Sequence, residues 1–358
     1  MSRIQKFLYE LATGKIRGPL AWFLGAILYC FSLIYGLFVL LLMKFYQVKP
    51  FSPGCKVISV GNITLGGTGK TTLVEYIAVY LKERGHKVAI LSRGYKKISK
   101  GISSGAGNIR QMGDEPYMLA QKLAGVPVIV DSDRVRAARK AVKEFGVDTL
   151  ILDDGLQQWR IAKDLEIVTI DASNPFGNSR VLPAGFLRQP LFTLKEADIF
   201  LITQAAVSLE REDLRRKLQN LSKGALIVES VHRPCGFGSL DKTLPLVSAD
   251  SLKGKRLAAF CGIGNPEGFY NLLTGLGLDL TLFLKFEDHH NYTQDDLDKV
   301  IAGAKEKRSE IIVTTEKDAV KLSGLKITGC SLLVLLVKLA LTKNEAEFNS
   351  RLLKLYPL

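Results

Sequence analysis

The stretch Ile58–Leu73, ISVGNITLGGTGKTTL, constrains this chain more than any other. Lys56 to Val60 predicts a β-strand, followed by a glycine-rich turn and the first turn of a helix. A loop of this kind lets backbone N–H groups converge on phosphate oxygens, and the helix N-terminus adds its partial positive charge. In such a loop Lys70 reaches the β- and γ-phosphates and the Thr71 hydroxyl holds Mg²⁺. Gly66, Gly67, Thr68, Gly69, Lys70, Thr71 and Thr72 are therefore the expected ATP-binding residues. The usual pattern G-x-x-x-x-G-K-[ST] has glycine where this chain has Thr64; the additional glycines are Gly66 and Gly67.

A strand feeding a phosphate loop predicts an α/β fold, a P-loop NTPase-like α/β/α core. More of its parts follow in order. Thr72 to Arg84 has the pattern of an amphipathic helix ended by Gly85. Val88 to Leu91 is a second strand, followed by Ser92-Arg93-Gly94-Tyr95. In open α/β sheets ligands bind at the carboxyl ends of strands, which makes Arg93 and Tyr95 candidates for contact. Asp148 to Asp154, DTLILDD, is an apolar strand ending in two carboxylates. Beside a phosphate loop that position faces the metal, so Asp153 is a candidate ligand and Asp154 holds something else. Gly113-Asp114-Glu115-Pro116 opens a helix, and acids there need only be caps. Arg134, Arg136, Arg139 and Lys140 lie on a predicted helix and read as a solvated basic face.

Beyond Gly224 the pattern restarts. Leu257 to Phe260 is a strand leading into Cys261-Gly262-Ile263-Gly264, a tight strand-to-helix turn. Leu280 to Phe286 is a strand ending at Asp288-His289-His290. Two adjacent histidines lack the spacing of a helical metal site, so one histidine working with a carboxylate is the expectation. Thr293 caps the next helix. Residues 46–226 are read as the nucleotide-binding core and 227–358 as a second, smaller α/β/α domain.

The chain's front end is of another kind. Pro19 to Met43 contains no charged residue. As a helix it spans roughly 37 Å against a hydrocarbon core of about 30 Å. Trp22 and Tyr46 sit near its ends, as interface aromatics do. Residues 1–45 are read as a transmembrane anchor and not as a cleaved signal, whose apolar core is shorter. Basic residues flank both ends, so charge alone leaves orientation open. ATP is cytoplasmic, which puts the bulk of the chain after Lys44 there. Over all 358 residues the formal net charge is +14, favouring anionic partners such as acidic headgroups or a phosphorylated substrate. Five scattered cysteines without paired spacing read as reduced.

Seven motifs stand in one order: Val60-Gly61-Asn62 with Gly66 to Thr71, Ser92-Arg93-Gly94-Tyr95, Gly113-Asp114-Glu115-Pro116, Asp153-Asp154-Gly155-Leu156-Gln157, Leu182-Pro183-Ala184-Gly185 with Leu187-Arg188, Phe286-Glu287-Asp288-His289, and Thr315-Glu316-Lys317-Asp318-Ala319. In these the chain resembles the tetraacyldisaccharide 4′-kinase family, the membrane-bound kinases of lipid A assembly, over nearly its whole length. Thr72, Gln158 and Gln189 stand where that family often has Pro, His and an acid. The resemblance implies ATP- and Mg²⁺-dependent phosphorylation of a sugar 4′-hydroxyl on an acylated glucosamine disaccharide 1-phosphate, at the bacterial inner membrane. It implies Asp114 and His289 as the catalytic pair. It implies Thr71 and Asp153 on the metal, with Asp154 and Glu115 close by. It also implies Asn62, Arg93, Tyr95, Arg134, Gln157 and Arg188 as contacts to the lipid. A membrane-tethered nucleotide switch is the rival reading, but neither N-K-x-D nor T-K-x-D, the guanine-reading motifs, follows the Asp153 strand. A nucleic-acid partner is suggested only by charge, and neither it nor an obligate protein partner is expected.

Overall fold

The computed structural model describes residues 7, 10–11, 15–16, 18–94, 103–104, 109–204, 211–240 and 245–356. Tyr95, expected to touch substrate, lies outside them.

The chain divides into two compact units that trade segments. The first takes its residues from Met1–Arg93, Gly125–Val231 and Ala340–Leu358; the second from Gly94–Ala124 and His232–Leu339. This grouping differs from the two consecutive blocks, 46–226 and 227–358, read from the sequence. The described residues of Gly94–Ala124, among them the helix Asp114–Lys122, group with the second unit, and the C-terminal helix Glu345–Leu353 groups with the first. There Tyr76 donates to Asn349 Oδ1 at 3.1 Å and packs on Phe348.

In the first unit the strands are β1 (Lys56–Gly61), β2 (Val88–Ser92), β3 (Val128–Val130), β4 (Thr149–Asp153), β5 (Leu165–Asp171), β6 (Ile199–Thr203) and β7 (Leu226–Ser239), whose residues up to Val231 belong here. They lie in the order β7-β6-β5-β1-β4-β2-β3, and all paired neighbours are parallel. The register Val60↔Asp153 brings the end of the phosphate-loop strand level with the acidic end of β4. Strands buried on both faces need continuous apolar runs, and β1, β2, β4 and β6 supply them. Val168, Ile170, Phe200 and Ile202 pack with Leu214 and Leu218 of the helix Arg211–Leu221.

In the second unit β8 (Arg256–Cys261), β9 (Asp279–Lys285), β10 (Ile311–Thr315) and β11 (Ser331–Lys343, up to Leu339 here) form a parallel sheet in the order β9-β8-β10-β11. Alternation of side chains sorts its two faces. Leu257, Ala259, Ile311, Val313 and Leu333 meet Phe269 and Leu273 of the helix Pro266–Gly275. Ala258, Phe260, Ile312 and Leu332 meet Leu297, Val300 and Ile301 of the helix Gln294–Glu306. That helix opens with a full capping box between Thr293 and Asp296. Each face carries its own helix, so the layers are α/β/α.

The apolar segment is one helix, Pro19–Gln47, long and apolar enough to cross a membrane by length and composition. Its surface is not uniform. Ser32, Gly36, Val39 and Met43, at spacings of four, three and four, are buried in a single stripe, while Phe31, Ile34, Leu37, Phe38 and Leu41 are exposed. The buried stripe meets the segment that carries Arg188. Ser32 Oγ accepts from the Ala184 N–H at 2.9 Å and lies 2.8 Å from the Val181 carbonyl, and Tyr35 donates to the Arg188 carbonyl at 3.2 Å.

Candidate active site

The first unit gathers most of the expected residues at the carboxyl ends of β1, β4 and β2. Gly69, at φ +79°, turns the chain into the helix Lys70–Lys82, two residues earlier than periodicity predicts. Lys70 and Thr71 thus occupy the first turn, where backbone N–H groups are unpaired within the helix. Gly61 and Gly155 let the β1 and β4 loops touch. A Cβ on Gly61 would stand 2.5 Å from Leu156 Cβ, and one on Gly155 would stand 2.3 Å from Ser59 Oγ.

Lys70 Nζ donates to Asn62 Oδ1 at 2.9 Å and lies 3.7 Å from Asp154. Asn62, expected on the substrate, is fully buried and also donates to the Thr64 carbonyl at 2.7 Å, so its side chain shapes the loop and aims the lysine. Thr68 is pinned to β5 by a 2.7 Å hydrogen bond with Thr169, and Thr72 donates to the Gly69 carbonyl at 2.9 Å. Both hydroxyls therefore brace the loop.

Asp153 is buried, with one carboxylate oxygen accepting from Ser92 Oγ at 3.0 Å. Its neighbour Asp154 takes a left-handed φ of +59°, an outlier that turns its side chain away from the strand. It is held by Arg188 Nη1 at 2.8 and 2.9 Å. Burial pushes the Asp154 carboxyl up, but Lys70 and Arg188 pull harder and leave it below the usual carboxylate range. Gln157 accepts from Arg188 at 3.4 Å and donates to Gln189 at 3.3 Å. The Arg188 N–H donates to the Ile63 carbonyl at 2.8 Å, which fixes the arginine's segment beside the phosphate loop.

The helix Arg134–Phe145 corrects the reading of its cations as one solvated face. Arg136 pairs outward with Asp131 at 2.7 Å, and Arg139 lies over the Phe51 ring. Arg134 turns inward and is 2% exposed. Its Nη1 donates to the Asp131 carbonyl, while Nε and Nη2 have no hydrogen-bond partner. Burial lowers its pKa to about 10 against the pull of Asp153 and Asp154. A buried guanidinium with two open donors is a preformed grip for an anion. Arg93, at the end of β2, is exposed.

The second unit holds the remaining residues. Gly113, at φ +87°, leads into the helix Asp114–Lys122, and Asp114 is its first residue. His289 Nδ1 lies 3.1 Å from Asp114 Oδ2, with both side chains about one-fifth exposed. His289 has φ +56°, in the left-handed region that few non-glycine residues adopt and where histidine is among the more frequent. His290 serves the adjoining cap, its Nε2 standing 3.0 Å from Asp296 Oδ2. Glu115, expected near the metal, is paired with Lys317.

Sequence reasoning passed over Ser92, which fixes one oxygen of Asp153, and Ser32 and Tyr35, which hold the Arg188 segment. The signal for Ser32 was present: a small polar residue four positions before Gly36 inside an apolar helix is the spacing that permits close approach.

A family model described as tetraacyldisaccharide-1-P 4′-kinase (LpxK) matches residues 24–356. A tetraacyldisaccharide 4′-kinase of Halothermothrix orenii is 43% identical over 314 residues, 81% of each chain. One of Syntrophus aciditrophicus is 39% identical over 330 residues, 87% of each chain. Among solved structures, the "apo" form of LpxK from Aquifex aeolicus in complex with ATP aligns with a TM-score of 0.75 at 29% identity, covering 93% of this chain and 100% of that one. With a phosphate loop, an acidic strand end and an aspartate–histidine pair built from the motifs of that resemblance, this chain belongs to the tetraacyldisaccharide 4′-kinase family.

Proposed function

We propose that this kinase transfers the γ-phosphoryl group of ATP to the 4′-hydroxyl of a tetraacyldisaccharide 1-phosphate, a lipid A precursor, at the cytoplasmic face of the inner membrane. The observation that carries the reading is Lys70 at the start of its helix, aimed by Asn62 and flanked by Asp154. Backbone N–H groups of residues 66–72 would cradle the triphosphate, and Lys70 would exchange Asp154 for phosphate oxygens.

The Thr71 hydroxyl and the carboxylates of Asp153 and Asp154 are oxygen donors only, the set a hard divalent cation takes, so these residues fit Mg²⁺. Glu115 is paired with Lys317, as Asp154 is with Lys70 and Arg188, so either would release a cation to take the metal. When bound, the cation would neutralise charge developing on the transferred group. Arg134, with open donors in a buried setting, is suited to an anionic oxygen of substrate or nucleotide. Arg188 and Gln157, joined to Asp154, would report substrate binding to the phosphate loop.

A sugar hydroxyl is a weak nucleophile. Asp114 is assigned as the base that takes its proton, and His289 as the partner that orients the carboxylate and shares the proton. Arg93 and Tyr95 complete the expected lipid contacts. The exposed apolar face of the Pro19–Gln47 helix suits a bilayer, where the acylated substrate also resides. Confinement to one surface raises effective concentration.

The test is a kinase assay with labelled ATP and the acylated disaccharide 1-phosphate in mixed micelles. Wild type should label the lipid, and Lys70→Ala should lose at least 100-fold in kcat. Label on free phosphate alone, dependent on an added protein, would support a nucleotide switch instead.

A further inference from the structure

The turn after β10, Thr315-Glu316-Lys317-Asp318, has no role in the reading above, yet it carries the most densely bonded carboxylate among the described residues of the second unit. Asp318 is fully buried. Its oxygens accept from the Gly262 N–H at 3.0 Å, from Tyr292 OH at 3.1 Å and from Thr315 Oγ1 at 2.7 Å, and Lys321 Nζ stands 2.8 Å away. The Lys321 side chain is itself only 4% exposed. A buried charge with this many partners fixes whatever it bonds.

What it bonds is the loop under His289. The Gly262 carbonyl accepts the His289 N–H at 3.1 Å, on the same peptide segment whose N–H is taken by Asp318. Gly262 has no room for a side chain. A Cβ there would lie 3.0 Å from both the Glu287 carbonyl and Tyr292 OH. Tyr292, whose hydroxyl Asp318 holds, stacks edge-on against His290 at 5.0 Å. So Asp318 supports the left-handed turn at His289 from two sides. The same turn also grips the helix that bears Asp114. Glu316 pairs with Lys122 at 3.0 Å, and Lys317 pairs with Glu115, the residue next to Asp114.

We propose that Thr315–Asp318 is the positioning device of the Asp114–His289 pair: Asp318 sets the histidine, and Glu316 with Lys317 set the helix that presents the aspartate. The proposal rests on reading that pair as the proton-handling groups. Two side chains on separate segments stay within hydrogen-bond distance only if both segments are tied to a common frame, and this turn is the element bonded to each. Asp318 is a positioning residue, since it touches neither reacting group.

The test uses the full-length enzyme in detergent micelles. Asp318→Asn keeps the shape but loses the charge that balances Lys321. It should lower kcat tenfold or more, with KM for ATP within twofold of wild type. It should also shift the His289 ring resonances. Tyr292→Phe, which removes one hydrogen bond, should do the same to a smaller extent and covers the case in which Asp318→Asn fails to fold. In a His289→Ala background Asp318→Asn should cost less than twofold further. Wild-type kcat and unmoved His289 resonances in Asp318→Asn, or in Tyr292→Phe if the first does not fold, would overturn the proposal. If His289→Ala alone retained full activity, the pair's assignment would fall, and the resonance shift would then decide separately whether Asp318 sets the histidine.

Discussion

Removing one oxygen from the apolar helix should loosen a loop that packs on it. Ser32 Oγ accepts the Ala184 N–H at 2.9 Å and lies 2.8 Å from the Val181 carbonyl. Ser32 is 4% exposed and Ala184 6%, so water does not replace the lost partner cheaply. Ser32→Ala leaves a buried N–H unsatisfied, a cost of about 1–3 kcal/mol. Taking ~2 kcal/mol, the open form of segment 181–188 gains about 30-fold in population relative to the closed form. That segment ends at Arg188, which clamps Asp154 at 2.8 Å, so the effect should reach the phosphate loop. Hydrogen exchange in detergent micelles should show the Ala184 amide exchanging about 30-fold faster in Ser32→Ala, with a raised KM for the lipid. Gly36→Ala is the control. Its added Cβ would stand 3.9 Å from Pro190 Cγ, an ordinary contact, and exchange should stay at the wild-type rate. Ala184 protection in Ser32→Ala within twofold of wild type would refute the reasoning, because it would mean the hydroxyl does not hold the segment.

Other substitutions probe separate parts of the same framework. Gly155→Ala forces a Cβ to 2.3 Å from Ser59 Oγ and 2.7 Å from Leu152 Cβ, so it should destabilise the first unit by about 3 kcal/mol in a denaturant titration. Asp154 has a depressed pKa, so its ion pairs with Lys70 and Arg188 contribute stability that is present above the ordinary carboxylate value near 4 and is lost as pH falls through the lower folded value. Asp154→Asn should therefore flatten the acid limb of a melting-temperature profile below about pH 4 while leaving the shape of the neutral limb unchanged. Thr293→Ala removes half of a capping box and should cost about 1 kcal/mol of second-unit stability without changing KM for ATP. Arg134→Leu buries an apolar side chain in place of a desolvated cation. The fold should survive by circular dichroism, while kcat/KM falls at least 100-fold if the open guanidinium donors grip an anion.

How much of this was legible before the structure depends on whether a residue's role is set by its neighbours in the chain or by distant ones. The phosphate loop is local: strand, glycines and helix lie within sixteen residues, and the structure keeps them in that order. The Thr293 cap is equally local and appears as read. The Arg134 orientation is not. Four cations on one helix carry no mark of which turns inward, because that depends on residues far off in the chain, Asp153 and Asp154 among them, whose charges act on Arg134. The grouping into two units is set by distant segments too. Residues 94–124 and 340–358 belong with segments more than 100 positions away, and no shift in composition announces that. Strands β7 and β11 pass from one unit into the other, so a boundary sought in a polar linker lies instead within regular strand, at Val231 and Leu339. The Asp114–His289 pair shows the limit most clearly. Taken alone, Asp114 is an acid at a helix start and needs no other explanation. The family resemblance pairs it with His289, and the structure sets the two side chains 3.1 Å apart across 175 residues, with a buried aspartate of a third segment bonded to the loop beneath the histidine.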